Sequence, residues 1–71
     1  MMDRVPVSSS NVVSIGYEAN TQTLEVEFKS NAVYQYFGVP QQVHENFMNS
    51  GSKGQFLQQY IRNVYPTSKV G

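Results

Sequence analysis

Val13, Ile15 and Tyr17 alternate with Ser14 and Gly16, and Leu24, Val26 and Phe28 alternate with Glu25, Glu27 and Lys29. Period-two alternation of this kind predicts two strands, each with one face buried. A turn through Asn20-Thr21, or a longer loop of the same parity, sets Tyr17 opposite Leu24 and gathers the six apolar side chains on one face. Ala32 to Gly38 has strand composition and supplies a third strand, in which Tyr34 and Tyr36 must project from the same side. The turn near Ser30-Asn31 decides which side that is. A two-residue loop pairs Phe28 with Val33 and turns the tyrosines outward, whereas a three-residue loop pairs Phe28 with Tyr34 and Val26 with Tyr36 and turns them inward. Ser-Asn is a poor two-residue hairpin loop and Asn31 tolerates the left-handed conformation that a three-residue loop needs, which favours the inward arrangement.

The period changes after Gly38. Pro40 suits the first position of a helix, Val43 and Phe47 lie one turn apart, and Asn49-Ser50-Gly51 supplies a stop. Ser52-Lys53-Gly54-Gln55 has the spacing of a capping box, and Phe56, Leu57, Tyr60, Ile61 and Val64 continue it as an apolar helical stripe that Pro66 ends. The expected fold is α+β, a three-stranded antiparallel β-meander followed by two C-terminal helices packed on one face. Residues 1–10, with Pro6 and Ser8-Ser9-Ser10, show no periodicity and are expected to form an irregular lead-in. Residues 11–66 form the single domain and 67–71 a short polar tail.

With 71 residues, one core must suffice, and a net stability of about 3 to 5 kcal/mol is the expected ceiling. The absence of cysteine removes disulfides, thiolate nucleophiles and thiolate metal sites. Met1 is not followed by an apolar run, so neither a signal peptide nor a membrane span is expected, and the chain is assigned to the cytoplasm. Five basic residues balance five acidic ones, which is not the usual electrostatic footprint of a nucleic-acid binder. The distribution is uneven, because Lys53, Arg62 and Lys69 are the only charged residues from 46 to 71. An anion-seeking surface belongs in that stretch.

In their order and spacing, Ser9-Ser10, Gly16-Tyr17, Leu24-x-Val26-x-Phe28, Tyr34-x-Tyr36, Val39-Pro40, Ser52-x-Gly54 and Ile61 resemble the KTSC domain family. These are small domains found alone in bacteria and at the C-terminus of some lysyl-tRNA synthetases. The resemblance spans nearly the whole chain, though none of its motifs is specific alone. The family has no established activity, and its association with a tRNA ligase implies RNA binding. Asn31 stands where the family tends to have Gly in the second turn. Asn is the next-best residue for a positive φ, so the turn is expected to survive.

Three groups of residues carry the functional expectations. Ser52, Lys53 and Gly54 at a helix N-terminus, extended by Arg62 and Lys29, form a candidate phosphate site; an ordinary helix cap explains the first three equally simply. Tyr34 and Tyr36 add base stacking if they are exposed, and act as core if they are covered. Val12, Val33 and Phe37, pointing outward from the sheet, form an alternative patch for another protein or a second copy of the chain. Glu25 and Glu27 share a strand face beside Lys29 and are expected to be solvated. His44 is alone, without the partners a zinc site needs. No serine has an evident base and orienting group. The expected function is a non-catalytic binding module for RNA, with no cofactor, metal or small-molecule substrate implied; protein interaction or self-association is the alternative.

Overall fold

The computed structural model describes residues 3–71. Five antiparallel strands lie in chain order across one sheet: β1 (Arg4–Pro6), β2 (Val12–Glu18), β3 (Thr23–Phe28), β4 (Val33–Tyr36) and β5 (Thr67–Lys69). Between β4 and β5 run α1 (Gln41–Asn49) and α2 (Lys53–Phe56), the latter continuing directly into a π-helical turn, Leu57–Ile61. The helices cover one sheet face, so the domain has two layers. Among the described residues, no helix is long and apolar enough to cross a membrane.

The alternating strands form as their pattern predicts. Tyr17 pairs with Leu24, and the loop between them is closed by Gln22 at φ 55°. The β3–β4 loop is the three-residue form: Phe28 and Ala32 are joined by a 2.9 Å main-chain bond, and Asn31 takes φ 72°. Asn31 thus fills the left-handed position. The tyrosines face the helices, but the register differs by two residues from the expected one. Val26 opposes Tyr34 and Leu24 opposes Tyr36, because the loop is Lys29-Ser30-Asn31 and Ala32 already bonds Phe28.

Two strands escape the sequence pattern. Residues 4–6 are not an irregular lead-in but pair with Ser14 to Gly16, and Thr67 to Lys69 are not a free tail but pair with Tyr34 to Tyr36. Three residues are too few to show alternation, and pairing with a longer neighbour holds them. A bulge makes a further correction. The register shifts between Val12 and Ser14, so Val13 is the extra residue, 36% exposed, while Val12 turns inward and is fully buried opposite Phe28.

Phe47, Ile15, Leu24, Ile61, Val12, Val26 and Val39 form the fully buried centre of the core. Gly38, at φ 74°, makes the bend that carries the chain from β4 toward α1. Pro40 caps α1 rather than opening it, its carbonyl accepting from the N–H groups of Val43 and His44. In α2, the Ser52 hydroxyl accepts from the Gln55 N–H at 3.3 Å, which is the Ser52 half of the expected capping box. The stripe after it is not uniformly buried. Leu57 and Ile61 enter the core, but Tyr60 and Val64 are 56% and 60% exposed. The π turn, in which the Arg62 N–H donates to the Leu57 carbonyl at 2.8 Å, is wider than an α turn and rotates these side chains away from the core.

Candidate functional site

A groove of about 610 Å³ opens between the β4 side of the sheet and the second helical segment. Phe28, Tyr34 and Tyr36 form its sheet side, and Gly54, Leu57, Gln58, Arg62 and Asn63 its helical side. Asn11, Lys29, Ser30 and Ala32 close the end at the β3–β4 loop, and Thr67 lies on β5 at the other. From Ala32 to Tyr36 the strand advances about 13 Å. Lys29 therefore belongs to one end and Arg62, whose charge acts on the Tyr36 phenol, to the other.

The electrostatics of this groove are one-sided. Its described lining contains Lys29 and Arg62 and no Asp or Glu. Among the described residues, the ion pairs are made by Arg4, to Glu25 and to Glu27, which leaves both groove cations uncommitted. Tyr34 is half-buried, its ring meeting Phe28 edge-on at 5.8 Å between centroids. Tyr36 is only 3% exposed. Burial pushes its phenol above the usual range, partly offset by the Thr67 side chain and the Arg62 charge, so it is a neutral hydroxyl at the groove base.

The sequence-predicted candidates divide sharply. Lys29, Tyr34, Tyr36, Gly54 and Arg62 come together in the groove. Tyr36 does so as a core residue and offers no open face for stacking, because the helices cover the side of the sheet on which it lies. Ser52 and Lys53 lie outside the lining. The Lys53 ammonium folds back to donate to the Ser50 carbonyl at 2.7 Å, and Ser52 is occupied as the helix cap. The expected centre of the site thus moves from the helix terminus to the β4 groove.

The alternative patch does not assemble. Val12 is in the core because of the bulge at Val13, and Val33 is half-buried and pinned by main-chain bonds to Val70 and Gly71. Phe37 is 36% exposed just beyond β4. The face between them is polar and internally satisfied. Arg4 bonds Glu25, Gln35 donates to Glu25 at 2.9 Å, and Ser14 donates to Glu27 at 2.9 Å. Glu25 is buried in this network, contrary to the solvated face expected from its alternation. His44 is likewise not a plain surface residue: its ring stacks on Tyr17 at 4.5 Å between centroids. Burial lowers its pKa, opposed by the nearby Glu45 charge.

Five polar groove residues were not among the expected site residues: Asn11, Ser30, Gln58, Asn63 and Thr67. Ser30 belonged to the expected turn and Thr67 to the expected tail, while nothing in the sequence singled out Asn11, Gln58 or Asn63. The one available signal was Gly54, since a glycine in the first turn of a helix marks close approach by another group. That group is Asn11, whose Nδ2 would stand 3.4 Å from a Cβ at position 54.

The KTSC domain profile matches residues 8–65. The chain is a member of the KTSC domain family. It is 43% identical over 56 residues to a lysine–tRNA ligase of Nostoc punctiforme, covering 79% of this chain but 10% of the ligase. An uncharacterized protein of Stutzerimonas stutzeri is 39% identical over 61 residues, with 86% of each chain covered. The crystal structure of a KTSC domain protein from Yersinia pestis matches with a TM-score of 0.96 at 44% identity, covering 100% of both chains. The KTSC domain thus occurs both in chains of about this length and as a small part of the ligases.

Proposed function

We propose that this KTSC domain is a non-catalytic module that binds single-stranded RNA along the β4 groove. The observation that carries this reading is the pairing of two uncommitted cations, Lys29 and Arg62, with a half-buried aromatic, Tyr34, in a lining without acidic residues. Phosphates would be held by the cations at the two ends, and a base would rest on the exposed part of Tyr34. Because the chain is neutral overall, attraction acts at short range, and affinity is modest. The similarity to lysine–tRNA ligases supports the same reading: a weak RNA contact tethered to an enzyme that acts on tRNA gains effective concentration without new chemistry.

Fluorescence anisotropy with a labelled single-stranded RNA, repeated across salt concentrations, tests the proposal. Two phosphate contacts give a slope of log affinity against log salt of about −1.4. Arg62→Ala reduces that slope by about 0.7 and weakens binding, whereas Lys53→Ala leaves both unchanged. Absence of binding at low salt, or binding that Lys29→Ala and Arg62→Ala do not affect, overturns the reading.

A further inference from the structure

Phosphate contacts carry no sequence information, so a groove anchored by Lys29 and Arg62 alone would accept any RNA. Asn11 supplies what those residues lack. Its N–H donates to the Ser9 hydroxyl at 3.3 Å, and its carbonyl accepts from the Lys29 N–H at 2.9 Å. The next residue, Val12, is fully buried and also donates to the Ser9 hydroxyl at 3.3 Å. The Asn11 main chain is therefore fixed on both sides. Its side-chain amide lies against Gly54, where the missing side chain leaves it open to the groove.

Gln58 and Asn63 also line the groove. Of the three amides, Asn11 is the one bonded through its main chain to a groove cation, so its distance from the phosphate anchor is set by the fold. A primary amide presents a donor and an acceptor side by side, the complement of the paired groups on a base edge. Such a contact discriminates only when the amide is held in place.

We propose that Asn11 is a specificity-determining residue, whose amide reads the edge of one base held against Tyr34 while Lys29 holds an adjoining phosphate. The inference rests on the RNA-binding reading and adds a preference among bases to it. Gly54 serves the same contact by leaving the amide uncovered.

Affinities for oligo(A), oligo(C) and oligo(U) of equal length, measured at one low salt concentration, test it. The parent domain shows a spread of about 5-fold or more between best and worst. Asn11→Ala compresses the spread to less than about 2-fold, while the salt slope stays as in the parent, because both fixed bonds of Asn11 are main-chain bonds and survive the substitution. Gly54→Leu, which keeps Asn11 but covers its amide, also compresses the spread; this second variant decides the matter if Asn11→Ala does not fold. Binding without base preference in the parent, or a spread unchanged in the folded variants, overturns the role of Asn11 and leaves RNA binding standing. No binding of any oligonucleotide by the parent overturns both.

Discussion

Tyr17 and Tyr34 lie on the same face of the same sheet and meet different fates. At Tyr17 the helical layer closes down: His44 of α1 stacks on the ring, and the phenol donates to the Val39 carbonyl. At Tyr34 the layer stands off, because Gly54 contributes no side chain and the π turn carries Tyr60 outward. One end of the interlayer space is filled by Phe47 and Val39, both fully buried, and the other is left as a groove with two cations at its rim. Both tyrosines are partly buried, yet identical residue type and identical facing yield a stacked, hydrogen-bonded ring at one end and a candidate binding surface at the other. What decides between them is the helix above the tyrosine.

The largest test of that contrast is truncation at each end. Phe47→Ala removes a fully buried ring and costs about 3 to 5 kcal/mol, enough to unfold a domain of this size. Tyr34→Ala, at a half-buried position, costs roughly half as much and leaves a cooperative urea transition. Equal losses in the two variants would mean that the groove end is as tightly packed as the α1 end.

Removing only the hydroxyls gives a smaller effect. Tyr17→Phe loses the bond to the Val39 carbonyl and lowers stability by about 1 kcal/mol. Tyr34→Phe is close to neutral in chemical denaturation, because Tyr34 lines the groove and is only half-buried. A marked loss in Tyr34→Phe would place that hydroxyl in a structural bond.

The smallest effect is a pH dependence confined to the closed end. Burial lowers the His44 pKa in the folded state below its unfolded value near 6.5, so the unfolded chain binds the proton more readily. Its contribution is complete above the unfolded pKa and is lost as pH falls through it toward the lower folded value. Denaturation midpoints of the parent should therefore decline below about pH 6.5 more than those of His44→Gln. Parallel profiles would show that the stacked ring titrates alike in both states.

The β2–β3 hairpin, α1 and the Ser52 cap were legible because each rests on local periodicity or a short-range signal. Asn31 revealed the loop type, yet not the two-residue register, since both registers keep the tyrosines inward. Val12 and Val13 exchanged roles because a bulge inserts one residue without altering the apolar pattern around it. β1 and β5 carry too few residues to alternate and exist by pairing. For the site, Lys29, Tyr34, Gly54 and Arg62 stood out as separate chemical possibilities, and their convergence depends on how far α2 stands from β4. Asn11 had no local signature, for its importance lies in a contact with Gly54, 43 positions away in the chain.

Amide chemical-shift mapping of the labelled domain with single-stranded RNA, at low and moderate salt, tests the central claim most directly. The account predicts salt-dependent shifts at Asn11, Lys29, Tyr34, Gly54 and Arg62, with Tyr17, His44 and Phe47 silent. Shifts centred on α1 or on Phe37, or none at low salt, would contradict it.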